Sequence, residues 1–120
     1  MLAVSNKPIF IQLADEIKSR IIDGKLQIDD KIPSVRELAA TFEVNNNTSM
    51  HTIEVLAREN IIYQKRGMGY FVTKEAVDII KSQKEEQFLS EFVPVLKNTM
   101  ALLGITPQQL VEILNKEGEK

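Results

Sequence analysis

The segment Ile32-Pro33-Ser34-Val35-Arg36-Glu37-Leu38-Ala39 constrains the fold more than any other stretch of this 120-residue chain. Ser34 is a good N-cap and Glu37 stands three residues later, a capping box that satisfies amides left open in the first turn of a helix. Leu38, Ala39 and Phe42 supply an apolar side. Arg36 falls in the first turn on the opposite side, where a cation is mildly unfavourable to the helix dipole. A cation kept there invites an anionic partner. Further on, Arg66-Gly67-Met68-Gly69-Tyr70-Phe71-Val72 reads as a tight hairpin with basic flanks.

The spacing around these two segments supplies the remaining elements. Pro8 suits the first turn of a helix. Ile9, Leu13, Ile17 and Ile21 then recur at helical spacing, with Phe10 and Ala14 alongside. Gly24 after Asp23 is a C-terminal stop, so a first helix is expected over residues 8–23. Residues 25–33 form a loop with a short strand at Lys31 and Ile32. The second helix runs from Ser34 to Thr41 or Phe42, and Glu43-Val44 makes a turn. Asn45 caps a third helix that reaches Glu59, with Thr48, Thr52, Ile53 and Leu56 facing inward. Asn60 can take the left-handed conformation that ends it. Residues 61–63 and 70–72 read as strands joined by residues 64–69. Two helices across a brief turn, followed by a Gly-rich hairpin, make the winged helix-turn-helix plan. The expected class is mainly α with a small β-hairpin.

From Lys74 the character changes, and the expected division is residues 1–74 and 75–120. Residues 76–103 look mainly helical. Phe88, Phe92, Leu96, Thr99 and Leu103 share one face, with Leu89, Val93 and Met100 adjoining it. Pro94 should bend or break this helix, and Gly104 ends it. Thr106-Pro107-Gln108-Gln109 opens a last helix, with Thr106 as N-cap, Pro107 at the first position and Gln109 closing a second capping box. Leu110, Val111, Ile113 and Leu114 form its apolar side.

Composition narrows the chemistry. The chain has no cysteine, which removes disulfides, thiolate metal sites and Cys nucleophiles, and its single His51 cannot build a histidine metal cluster. No cofactor or metal is expected. No run approaches a membrane span and the N-terminus lacks a signal pattern, so the expected location is cytoplasmic, without membrane partners. Net charge is −2, which alone argues against nucleic acid. Its distribution softens that: residues 1–74 hold ten Lys/Arg and nine Asp/Glu, residues 75–120 five and eight. The acidity sits in the tail. DNA affinity would need locally placed cations and two copies of the front domain.

Taken in order, Pro8-Ile9-Phe10 with Gln12, Gly24-Lys25-Leu26, residues 32–39, Asn47-Thr48, Leu56, and Gly67 with Gly69-Tyr70-Phe71-Val72 resemble the GntR family of bacterial transcription regulators. The match covers about residues 8–73. The short two-helix tail resembles the YtrA-type subfamily; the larger effector domains of other subfamilies would not fit the remaining length. The resemblance implies a homodimeric repressor that binds a double-stranded DNA operator, its third helix in the major groove and its wing tip near the minor groove. It implies that Arg36 contacts DNA and that Gly67 allows close backbone approach. Relatives of the YtrA type often lie beside transporter operons and answer to envelope stress or small molecules, so an unidentified small-molecule effector is also implied. Four positions depart from the family pattern. Asn46 and Met50 stand where basic side chains are common, a loop glycine is replaced at Asp29 or Asp30, and Asn60 replaces the glycine after the third helix.

Each site residue has a plainer reading beside the functional one. Arg36 could pair with Glu37 or Asp30 instead of DNA. The run Asn45-Asn46-Asn47-Thr48-Ser49 could be capping and turn chemistry; that is accepted for Asn45, whereas Asn46, Asn47 and Ser49 fall where a reading helix meets base edges. Asn pairs with adenine in the major groove. Met50 meets a thymine methyl or fills a gap. Lys65 and Arg66 are either solvated or reach phosphates and a narrow minor groove. The expected DNA-facing set is Ser34, Arg36, Asn46, Asn47, Ser49, Met50, Lys65, Arg66 and Gly67. The Phe88, Phe92, Leu96 and Leu103 stripe either folds back on its own domain or pairs with a second copy. Pairing is favoured, because left exposed it would be a large apolar patch.

Two functions of different kinds follow. One is a dimeric repressor on a palindromic, A·T-rich operator. The other is a protein-interaction module that keeps the winged fold with weakened DNA binding. An enzyme is disfavoured: no nucleophile–base pair, metal cluster or phosphate loop is visible.

Overall fold

Helix α1 (Ile9–Ile22) buries Leu13, Ala14, Ile17 and Ile21, the face that its apolar spacing marks. It packs against α3 (Asn46–Arg58), which in turn packs against α2 (Val35–Phe42). The computed structural model describes residues 6–117. Ser34 caps α2 in both directions: its hydroxyl accepts from the Glu37 N–H at 3.1 Å, and its own N–H donates to the Glu37 carboxylate at 2.8 Å. Asn45 caps α3, its side-chain oxygen accepting from the Thr48 N–H at 2.8 Å. Between the two helices Glu43 turns the chain in the left-handed region, at φ 55°.

Strands β1 (Ile62–Lys65) and β2 (Gly69–Val72) pair antiparallel, Ile62 opposite Val72 and Lys65 opposite Gly69. The expected short strand at Lys31 and Ile32 is present as a bridge between Lys31 and Phe71. The Ile32 N–H donates to the Tyr70 carbonyl at 2.9 Å, and the Val72 N–H to the Asp30 carbonyl at 3.0 Å. Asp29 has φ 67° and Asn60 φ 63°. The left-handed demand in the loop before Pro33 therefore falls on Asp29, and Asn60 meets the one after α3. Ile17, Ile32, Leu38, Ile53, Leu56, Ile61, Ile62 and Val72 make one buried cluster. Two polar groups inside it are satisfied: the Thr52 hydroxyl donates to the Phe10 carbonyl at 2.9 Å, and the Thr73 hydroxyl to that of Asn60 at 2.9 Å.

Helix α4 (Ala76–Gln87) contributes Ala76 and Ile80 to the same cluster. The chain divides into compact units between Ser82 and Gln83, eight residues beyond the expected boundary at residue 74. The burial of Ala76 and Ile80 ties the first turns of α4 to the first unit. The second unit continues helically through a π turn, Phe88–Phe92, into α5 (Val93–Leu103). Pro94 has no N–H to give its helix, and the chain absorbs this in a wider turn, with the Val93 N–H donating to the Phe88 carbonyl, instead of breaking. Gly104 ends α5 at φ 72°. Thr106 and Gln109 then exchange hydrogen bonds at 2.7 and 3.1 Å to open α6 (Pro107–Glu117).

Candidate nucleic-acid interface

The capping box presents the first turn of α2 outward. Ser34 and Arg36 are both exposed. The carboxylates that could have neutralised Arg36 are engaged elsewhere: Glu37 with the Ser34 N–H, and Asp30 with the Gln27 N–H at 2.8 Å. Among the described residues Arg36 has no hydrogen bond or ion pair. Its charge is left to solvent or to an external anion.

The first turns of α3 separate the sequence candidates by helical phase. Asn46 and Asn47 are exposed and Met50 is 46% exposed. Ser49 is buried completely, and its hydroxyl donates to the Val35 carbonyl at 2.7 Å. This corrects the expectation of DNA contact at Ser49: a hydroxyl spent inside the α2–α3 contact cannot reach a base. The outward strip is thus Asn46, Asn47 and Met50. His51, also exposed, lies edge-on to Phe10 with ring centroids 5.4 Å apart.

The wing tip is a turn over residues 65–68, closed by the Met68 N–H on the Lys65 carbonyl at 2.9 Å. Gly67 takes φ 77°, which its position in the turn demands of a residue without a Cβ. Nothing lies within 4 Å of where its Cβ would be, so the backbone there is open to a large ligand. Arg66 is exposed at the tip without an internal partner among the described residues. Lys65 is exposed but leans back, its ammonium 4.7 Å from the centre of the Phe71 ring. Tyr63 is tied down by donating its hydroxyl to the Asp29 carboxylate at 2.7 Å, and the same bond pushes its phenol above its ordinary pKa. One basic residue escaped the sequence reading: Lys31, whose side chain runs across Gly69. Its expected strand placement was visible, but the pairing that carries it to the wing was not.

In the second unit Phe88 and Phe92 stack with centroids 5.4 Å apart, and no residue of the π turn or α5 is buried. Leu96 is half-buried, whereas Leu103 is 67% and Leu102 86% exposed. Among the described residues no group of acidic or histidine side chains could hold a metal ion, and no single helix is long and apolar enough to cross a membrane.

Residues 11–72 match the model of bacterial regulatory proteins of the gntR family. The chain is 37% identical over 110 residues to the uncharacterized HTH-type transcriptional regulator YhcF of Bacillus subtilis, spanning 90% of this chain and 88% of that one. It is 38% identical over 72 residues to the HTH-type transcriptional repressor YtrA of the same organism, spanning 60% of this chain but only 55% of YtrA. A crystal structure of a GntR-family transcriptional regulator from Bacteroides thetaiotaomicron superposes with a TM-score of 0.78 at 36% identity, over 93% of this chain and 97% of that one. The DNA-binding domain of AraR, solved in complex with its operator ORR3, aligns at 33% identity with a TM-score of 0.55, over 61% of this chain and 88% of that one. The chain belongs to the gntR family of bacterial regulatory proteins.

Proposed function

We propose that this protein is a sequence-specific, DNA-binding transcriptional repressor that works as a homodimer in the cytoplasm on a palindromic operator. The observation that carries the reading lies in the first turns of α2 and α3: Arg36, Asn46 and Asn47 are exposed, and none has a partner inside the protein among the described residues. Polar groups left unsatisfied in the exposed first turns of a helix-turn-helix are suited to base edges and phosphates. Asn favours adenine, Met50 suits a thymine methyl, and Arg66 suits the narrow, more negative minor groove of A·T-rich DNA. An A·T-rich operator follows. The exposed Phe88, Phe92, Leu102 and Leu103 support pairing of the tails, since an apolar surface of that kind on a monomer is costly in water.

Selection from a random DNA pool is the test. Enrichment of an A·T-rich inverted repeat, bound in the presence of competitor DNA and weakening steeply with salt, is the expected result. Recovery of G·C-rich half-sites counts against the base assignments. Recovery of no sequence at all favours a protein-interaction role for the same surface.

A further inference from the structure

Lys31 stands three residues before the α2 cap and is exposed. Its backbone is held to β2 by the bridge to Phe71, with the Ile32 and Val72 amide bonds on either side. Its side chain therefore has a fixed root and lies over the wing. A Cβ placed on Gly69 would meet Lys31 Cε at 2.9 Å and Nζ at 3.7 Å. The missing side chain at Gly69, where φ is 111°, is what makes room for the lysine stem. Among the influences that lower the Glu37 pKa, the two Ser34 hydrogen bonds come first and the Lys31 charge comes last. Lys31 makes no hydrogen bond or ion pair among the described residues. One cation thus lies against the hairpin bearing Arg66 while rooted three residues before the α2 cap.

We propose that Lys31, seated against Gly69, is a DNA-backbone contact that holds a phosphate between the α2 cap and the wing. This rests on the DNA-binding reading above. Phosphate is the fitting ligand because an ammonium is a compact point charge without acceptors, rooted outside the reading helix. The contact also addresses the poverty of the front domain in cations. With Asn46 and Met50 in place of basic residues and a near-neutral balance over residues 1–74, each correctly placed lysine carries a larger share of the counterion release that drives association.

The experiment uses the full chain and the duplex recovered by selection, with binding followed by fluorescence anisotropy over a range of salt. Lys31→Ala should weaken binding to specific and scrambled duplexes alike and reduce the salt slope by about one unit. The gap between wild type and variant should then narrow about three- to fourfold between 50 and 200 mM salt. Lys31→Arg should retain both affinity and slope, and thermal melting should show all variants folded. If Lys31→Ala keeps wild-type affinity and slope while Arg36→Ala loses them, the Lys31 assignment is overturned and DNA binding stands. Weaker binding with an unchanged slope and a lowered melting temperature would make Lys31 structural only and overturns it as well. A wild-type protein that selects no sequence removes the assignment together with the reading beneath it.

Discussion

Ser34 and Glu37 each bind the other's backbone amide, and that reciprocal bond fixes where α2 starts and hence where Arg36 points. Hydrogen bonds from the Ser34 amide and then its hydroxyl hold the Glu37 carboxyl below its ordinary pKa; burial opposes them slightly and Lys31 adds to them. A carboxylate whose folded pKa is lowered gives stability that is fully present above its unfolded value, about 4.3, and that is lost as pH falls through the folded value. The stability difference between wild type and Glu37→Gln should therefore be constant near neutral pH and shrink below about pH 4.3. Denaturant titration across that range checks it; a difference that grows on acidification contradicts the sign. Ser34→Ala should cost about 1 kcal/mol at neutral pH.

At the scale of elements, most boundaries were legible because they are written locally. The caps at Ser34, Asn45 and Thr106, the stops at Gly24 and Gly104, and the strands flanking Gly67 each depend on neighbours a few residues away. What could not be read depends on distant partners. Ser49 and Asn47 are both small and polar, and only the packing of α3 on α2 decides that Ser49 faces the Val35 carbonyl while Asn47 faces out. Lys31 reaches the wing only through its bridge to Phe71. Ala76 and Ile80 belong to the first unit because they bury against helices and strands well before them in sequence. The turn between α2 and α3 stores a cost of its own. Glu43 sits at φ 55°, a conformation that disfavours a residue with a Cβ by roughly 1–2 kcal/mol. Glu43→Gly relieves this and loses part of the gain to the freer unfolded chain, so a net stabilisation of up to about 1 kcal/mol is expected in chemical denaturation. A less stable variant would mean that the Glu43 side chain makes a contact worth more than the backbone strain.

For the whole molecule, the proposed pairing of tails would answer a physical problem of the DNA-binding domain. A near-neutral front domain gains little from a single encounter with DNA, whereas two copies on one duplex double its phosphate contacts and fix the half-site spacing. Phe92 stacks on Phe88 in an exposed patch, where a charge would have to be buried if the patch pairs with a second copy. Phe92→Asp should convert a dimer to a monomer in light scattering at micromolar concentration without unfolding the front domain. A wild-type monomer would contradict the proposed dimer, and a variant that still dimerises would place the interface elsewhere.

Hydroxyl-radical footprinting of the wild-type protein on its selected duplex reports binding, symmetry and spacing together. Two equivalent protected patches are expected on one face of the DNA, about one helical turn (~34–36 Å) or a multiple of it apart. A single patch, or even protection along the whole duplex, would contradict a symmetric dimer reading an operator through α3.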